Sequence, residues 1–289
     1  MVAASSATVF KRYVALELGK LRVAAGFTRD QVAEHLGCSL GHVRHLETMH
    51  SLPKPLEVRA LLPLYGVGER TDAFLVLVGA ARRGRDWWAD FPGVPERMDL
   101  LLAMEAAAVT IHGYDAMVVP GLFQTPAYAE TVIRAGEPNL PENELQQGID
   151  LRMVRQDILT RRPDPPAVWC VLDEAVLHRR ASKPAVLVEQ LKHLVKLSKL
   201  SNVHIQVLPF DAVGLHAGMD GTFTVLTFGP ELVGDPGVAY VESRITGTYY
   251  EDAAEVARYR DTWSLVQLHA LTPEESRAAL ARRAEETTT

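Results

Sequence analysis

The residues with the clearest potential for binding chemistry lie in one short stretch, 39–47 (SLGHVRHLE). His42, Arg44 and His45 can donate hydrogen bonds to phosphate oxygens or to the acceptor atoms of guanine. Arg44 suits a non-specific phosphate clamp as well as a base contact, and both histidines can simply face solvent. The stretch therefore has side chains that can contact a polyanion, with specific and non-specific alternatives open.

Leu40 and Gly41, which begin the stretch after its serine, carry no hydrogen-bonding side chain. Leu40 can contact the methyl group of thymine, and Gly41 allows another backbone to approach closely. We therefore predict an apolar contact at Leu40 and a close approach of the backbone at Gly41.

The residues before the stretch predict two helix starts. Thr28 can cap a helix, Gln31 can return a bond to the Thr28 amide, and Phe27 can pack against Val32. Gly26 suits the left-handed cap that ends the preceding helix. This is the sequence signature of a capping box with a hydrophobic staple.

The same pattern follows at the next junction. Gly37 can end the second helix, Ser39 can cap the third, and Cys38 can pack against Val43. Val43 and Leu46 are predicted to face inward because they lie three positions apart. Two capped helices joined by so short a turn predict a helix-turn-helix, in which the third helix contacts DNA.

The helix starts add further candidate contacts, because free amides at a helix N-terminus bind anions. The amides at Thr28 and Ser39 are expected to contact phosphate. Arg44 and His45 are expected to supply most of the donors that reach DNA, helped by Arg29 at the start of the second helix. The full set of expected DNA-binding residues is Thr28, Arg29, Gln31, Ser39, Leu40, Gly41, His42, Arg44 and His45.

The distribution of charge along the chain supports DNA binding by the N-terminal part. The chain has a net charge of -6, with 30 Lys+Arg and 36 Asp+Glu. Residues 1–85 hold 12 Lys+Arg and 7 Asp+Glu, a net of +5, which leaves 18 and 29, a net of -11, for residues 86–289. Only the N-terminal part suits a phosphate backbone, and the remainder would repel it.

Beyond the N-terminal helices the pattern changes along the chain. Helices are expected at 96–112 and 126–160, and four apolar, β-branched segments after residue 166 are expected as strands. We therefore predict a multidomain protein, in which an all-α helix-turn-helix domain precedes an α+β domain. The predicted parts are 1–81 for DNA binding, 82–95 for a linker, and 96–289 for regulation and dimerisation.

Other classes find little support. The longest apolar run, 73–81, is far shorter than the roughly 20 residues that cross a bilayer, and no signal peptide is apparent, so a cytoplasmic location is expected. Cys38 and Cys170 have no spacing that suits zinc or a disulfide framework.

Acids and histidines in the C-terminal part raise the question of catalysis or metal binding, but no recognised motif accompanies them. We therefore expect no enzyme, no metal and no cofactor. The loop HAGMDG (216–221) suits a hairpin turn or the lining of a pocket. The acids and histidines considered are Asp173, Glu174, His178, His204, Asp211, His216 and Asp220.

Two resemblances cover almost the whole chain. The segment LGKLRVAAGFTRDQVAEHLGCSLGHVRHLE resembles the phage-repressor-like (XRE) family. The rest is similar to the C-terminal domain of actinobacterial regulators labelled Scr1-type. The segments that carry this second resemblance are VVPGLFQTPAYAE, DLRMVRQDILTRR, VLDEAVLHRR, IQVLPFD and HAGMDGTFTVLTF.

The resemblances imply a transcription factor, encoded beside a small protein that acts with it as a regulator and modulator pair. They also imply that Leu40, Gly41 and His45 are the base-reading positions, and this sequence departs from the usual polar residues at the first two. We expect a sequence-specific homodimer on double-stranded DNA that senses a small partner protein or ligand. The alternative is a protein-binding module of such a pair, with DNA contact secondary.

Overall fold

The computed structural model describes residues 6–84, 86–91, 94, 96–179, 183–212, 221–243 and 246–288. The chain divides into two compact units, residues 1–89 and 90–289, called the N-terminal and C-terminal units below. The expected linker, 82–95, includes the end of a helix at Arg83 and a 3-10 helix at Trp87–Asp90. Residues 216–220 of the HAGMDG loop, including His216 and Asp220, lie outside the described residues.

The N-terminal unit consists of helices, as predicted. Apolar side chains spaced by three and four residues meet in its core, where Val14, Leu18, Val32, Leu46 and Phe74 are buried. The helices are α1 (Ala7–Ala24), α2 (Arg29–Leu36), α3 (Leu40–Glu47), α4 (Pro55–Leu64) and α5 (Thr71–Arg83).

The caps that position α2 and α3 form as the sequence predicts. Gln31 N donates to Thr28 Oγ1 and Thr28 N donates to Gln31 Oε1, which completes the capping box. Gly37 is left-handed at φ 61°, and Ser39 Oγ accepts from His42 N at 3.2 Å. These local bonds fix the turn between the two helices.

The carboxylate of Asp86 bonds the chain after α5 to the start of α1. Asp86 accepts hydrogen bonds from Ser6 Oγ and Thr8 Oγ1, each at 2.6 Å. Because both hydroxyls belong to the first turn of α1 and its cap, the chain after α5 is held against the start of α1.

The C-terminal unit combines helices with one six-stranded sheet, so the predicted α+β fold is confirmed. The last helix, Pro273–Thr288, packs along the helix Pro184–Leu197 and against the strand Val203–Leu208. The helices are α6 (Glu96–Ala107), α7 (Pro126–Gly136), α8 (Glu142–Arg155), α9 (Glu174–His178), α10 (Pro184–Leu197), α11 (Ala253–His269) and α12 (Pro273–Thr288). The strands are β1 (Thr110–Asp115), β2 (Ala167–Asp173), β3 (Val203–Leu208), β4 (Phe223–Thr227), β5 (Val238–Glu242) and β6 (Gly247–Tyr250).

The strand order is β3-β2-β1-β4-β5-β6. The pairs among β1, β2 and β3 are parallel, whereas β4, β5 and β6 pair antiparallel. The carboxyl ends of three neighbouring strands, β1 to β3, therefore meet at one edge of the sheet, which we call the carboxyl edge.

Two segments differ from the sequence prediction. The predicted helix 96–112 ends at Ala107, and Thr110 begins β1 instead, because this segment pairs with both β2 and β4. The first apolar segment after residue 166, AVWCVLDEAVL (167–177), is expected from its sequence to be a strand throughout, but it is a strand only to Asp173. The Asp173 side chain accepts from Ala175 N at 2.8 Å and starts α9. Among the described residues, no helix is long and apolar enough to cross a membrane.

Candidate nucleic-acid interface

The third helix, α3, divides into a buried and an exposed side. Val43 and Leu46 are buried in the core of the N-terminal unit, as predicted. Leu40 is 48% exposed, and Gly41 and Arg44 are exposed beside it. The first two turns of α3 therefore present a mixed apolar and cationic surface.

Glu47, the last residue of α3, holds three helices together. Its side chain is only 4% exposed and accepts from Arg22 Nε at 2.6 Å and from Arg29 Nε at 2.7 Å. Arg22 also donates to the carbonyl of Phe27 at 2.7 Å. The hydrogen bond to Glu47 is the main cause of a raised Arg22 pKa. The sequence-based prediction did not include this network, although an acid four places from inward-facing Val43 was an available signal.

Arg29, an expected DNA contact, is therefore engaged within the fold through Nε. Its side chain is still 44% exposed, and its terminal N–H groups make no hydrogen bond to the described residues. The pair with Glu47 orients the guanidinium while leaving those two groups for a ligand.

His42 and His45 differ in their surroundings. His42 Nε2 lies 2.9 Å from Glu57 Oε1, and the other oxygen of Glu57 accepts from Lys54 N at 2.6 Å. His42 is thus joined to the start of α4 rather than left to solvent. The ring of exposed His45 stacks on His50, with centroids 5.3 Å apart.

Arg44 lies on the exposed side of α3. Its side chain makes no hydrogen bond or ion pair with the described part of the chain. Met49, with φ of 63°, ends the helix in a left-handed conformation, and His50 N bonds to His45 O at 3.1 Å. Arg44 therefore extends from the last well-formed turn of α3.

An open depression of about 830 Å³ joins these residues to the α1–α2 corner. Leu40 and Arg44 form one wall, and the other includes Val23, which is also exposed. The complete lining is Arg22, Val23, Gly26, Phe27, Thr28, Arg29, Asp30, Leu40, Arg44 and Thr48. Of the nine expected contact residues, four border this one surface.

Gly41 has no evident role in the fold. A Cβ placed on it would meet only Ser39 Oγ, at an ordinary 3.8 Å, and its backbone is not left-handed. The amides of Leu40 and Gly41 belong to the unpaired first turn of a helix, and neither donates to any described residue. A bare helix start is therefore presented beside Leu40.

The helix caps constrain the other expected contacts. The Thr28 amide donates to Gln31 Oε1 at 2.8 Å, so this amide and the Gln31 side chain are engaged within the capping box. Ser39 Oγ accepts from the His42 amide. In the free protein Thr28, Gln31 and Ser39 thus serve the fold, and they orient the neighbouring residues of α2 and α3.

The acids and histidines that the structure describes in the C-terminal unit do not assemble into one site. Glu174 and His178 are close, with Oε1 and Nε2 3.4 Å apart, but His204 stacks on Trp169 on the sheet. The described residues contain no cluster of His, Cys, Asp and Glu that could hold a metal ion. Asp115, whose pKa is raised by burial to about 7, was not among the residues predicted from the sequence.

Residues 14–74 match the family described as "Helix-turn-helix domain", so the N-terminal unit has the fold of DNA-binding regulators. Residues 98–282, more than half of the chain, match the family described as "Domain of unknown function (DUF5753)". The chain belongs to this DUF5753 family. No significant match to a curated protein or a solved structure was found.

Proposed function

We propose that this protein is a cytoplasmic, sequence-specific transcriptional regulator of the XRE type that binds double-stranded DNA as a homodimer. The observation that carries the proposal is the exposed side of α3, where Leu40, Gly41 and unpaired Arg44 lie together on a helix fixed from behind by Glu47. A rigid helix with free donors on its outer side is what entry into a major groove requires.

The residues of this surface have separate roles in the proposal. Arg44 donates to a guanine or a phosphate, and His45 adds a second donor one residue further along. Gly41 lets the backbone of α3 approach the DNA, and Leu40 contacts a thymine methyl. Arg29 donates to phosphate through the N–H groups that Glu47 leaves unused.

Dimerisation follows from the small reach of one such helix. A single α3 contacts only a few base pairs, whereas two copies bind half-sites one helical turn, about 10 base pairs, apart. The C-terminal unit, which we propose to be a Scr1-type domain of an actinobacterial regulator, supplies dimerisation and senses a small partner protein or ligand. It binds and does not catalyse.

The test is selection of binding sites from a random DNA pool by the purified full-length protein, at low and near-physiological salt. We expect an inverted repeat that persists at the higher salt, because non-specific phosphate contacts weaken steeply with salt. Arg44→Ala should weaken binding or change the preferred bases. Arg83→Ala is the matched control, because it removes a positive charge from α5 and not from α3.

If no sequence is enriched, or if Arg44→Ala binds and selects like the unaltered protein, this assignment of α3 is wrong. Light scattering that shows a monomer both free and on DNA would contradict the dimer.

A second candidate function is a protein-binding module with DNA contact secondary. It is favoured by one observation, that the first two residues of α3, Leu40 and Gly41, lack hydrogen-bonding side chains. Co-purification with the product of a neighbouring small gene, compared with and without the selected DNA, distinguishes the two functions. Partner binding without any DNA preference supports the second.

A further inference from the structure

Exposed apolar side chains gather at the carboxyl edge of the sheet. Met117 and Val118 follow β1, and Phe210 follows β3. Met117 is 54% exposed and Phe210 is 66% exposed, which is high for side chains of this size and polarity. Between them lie two exposed residues, His178 at the end of α9 and Arg179 directly after it.

Side-chain contacts join these loops into one surface, which we call the carboxyl-edge patch: Met117, Val118, His178, Arg179 and Phe210. Arg179 Nη2 lies 3.5 Å from Met117 Sδ. The rings of His178 and Phe210 have centroids 5.8 Å apart. The patch is therefore continuous across the ends of three parallel strands.

The backbone beneath the patch is held by hydrogen bonds. Ala116 N donates to Thr222 Oγ1 at 3.1 Å, and Val119 N donates to the hydroxyl of Tyr128 at 3.3 Å, on either side of the Met117–Val118 pair. Phe210 N donates to Glu174 Oε2 at 2.8 Å. The exposed side chains thus project from fixed positions, which lowers the entropy cost of binding a partner.

The two carboxylates that precede the patch residues His178 and Arg179 in the chain, Asp173 and Glu174, have partners other than Arg179. Glu174 is engaged by the Phe210 amide and by His178, and Asp173 by the Ala175 amide and the Tyr114 hydroxyl. Arg179 has no carboxylate partner in the described part of the chain. An unpaired arginine is therefore presented within a region, residues 86–289, that carries a net charge of -11.

We propose that the carboxyl-edge patch binds an acidic segment of a partner protein that carries apolar side chains next to its carboxylate. Arginine, methionine and aromatic residues are enriched at protein interfaces, and methionine adapts to varied apolar shapes. The partner's carboxylate pairs with Arg179, and its apolar residues cover Met117 and Phe210. This inference rests on the proposed function, because it gives the partner-sensing role of the C-terminal unit a location and a chemistry.

The test is selection of a displayed random peptide pool against the full-length protein, followed by affinity measurements with the enriched peptides made synthetically. We expect peptides with Asp or Glu beside large apolar residues. Arg179→Glu and Phe210→Ser should each weaken binding at least tenfold, and replacing the peptide's acid by lysine should restore binding to Arg179→Glu. Leu268→Ser is the matched control, because Leu268 is 76% exposed on α11 and lies outside the patch.

The proposal is overturned if no peptide is enriched, if the enriched peptides lack acidic residues, or if they bind equally to the altered and unaltered patch. Self-association that Phe210→Ser abolishes also overturns it, because the occupant is then a second copy of the chain. DNA binding measured on the same preparations separates the two hypotheses. Peptide binding without DNA binding leaves the patch standing and removes the proposed function, whereas the reverse result removes only the patch.

Discussion

Arg22 Nε donates to Glu47 Oε1 at 2.6 Å, which joins the last turn of α1 to the last residue of α3. The second oxygen of the same carboxylate accepts from Arg29 at the start of α2. The orientation of α3 is thus set by a buried carboxylate as well as by apolar packing.

Replacing the Glu47 carboxylate should lower the free energy of unfolding of the N-terminal unit. Removing one partner of a buried ion pair costs about 3–5 kcal/mol, because the remaining charge is left unpaired. Since Arg29 is partly exposed, we expect Glu47→Ala to lose an amount near the lower end of that range. Thermal or chemical denaturation of the full-length protein measures the loss.

Glu34→Ala is the control, because Glu34 is exposed on α2 and its side chain has no partner among the described residues. If Glu47→Ala and Glu34→Ala unfolded at the same denaturant concentration, the bonds of Glu47 to Arg22 and Arg29 would be unnecessary for stability.

Gly41 offers a test that separates folding from binding. Glycine in a helix is roughly 0.5–1 kcal/mol less favourable than alanine, and a Cβ at Gly41 fits without close contact. We expect Gly41→Ala to stabilise the free protein by up to about this amount while weakening its binding to the selected DNA. Denaturation and DNA titration on the same preparation give both numbers.

Gly136→Ala is the matched control, since Gly136 lies at the end of α7 with open space around its Cβ position. It should leave DNA binding unchanged. DNA affinity that is unaltered or higher in Gly41→Ala would show that α3 does not need a bare backbone at this position.

The parts of this site that sequence could predict are those made by neighbouring residues. The capping box joins Thr28 to Gln31, three positions apart, and the left-handed turn needs only Gly37. Each depends on residue type and short spacing, so the pattern alone places the boundaries of α2 and α3.

The parts that escaped prediction depend on distant partners. Glu47 bonds to residues 25 and 18 positions away, and β1 forms by pairing with segments near Ala167 and Thr227. The sequence of β1, TIHGYD, contains glycine and aspartate, which disfavour a strand locally. Pairing on both sides compensates for this, and a single sequence does not reveal it.

Asp115 should make the stability of the C-terminal unit depend on pH. Burial, and secondarily Glu242, raises its pKa from 3.8 to about 7, while Arg155 opposes the shift. The fold therefore favours the protonated acid, so this contribution to stability is present at low pH and is lost as pH rises from about 4 to 7. We expect Asp115→Asn to be more stable than the unaltered protein at pH 8 and to lose that advantage at pH 5.

The measurement is chemical denaturation of both proteins across this pH range, with Asp261→Asn, an exposed position on α11, as control. A stability difference between Asp115→Asn and the unaltered protein that stays constant from pH 5 to 8 would contradict the raised pKa.

His112 should produce the opposite dependence. Its ring stacks on Trp263 with centroids 4.0 Å apart, and burial, with a smaller effect of Arg260, lowers its pKa from 6.5. The fold therefore favours the neutral imidazole, and its contribution to stability is lost as pH falls below about 6.5. His112→Phe keeps a ring against Trp263 but cannot titrate.

We expect His112→Phe to lose less stability than the unaltered protein between pH 7.5 and 5, as followed by tryptophan fluorescence during denaturation. His35→Phe, at an exposed position on α2, controls for the change of residue type. If His112→Phe is as sensitive to acid as the unaltered protein, protonation of His112 does not limit the acid stability of the sheet. The other sheet histidine, His204, whose pKa is also lowered by burial, would then be the group to replace next.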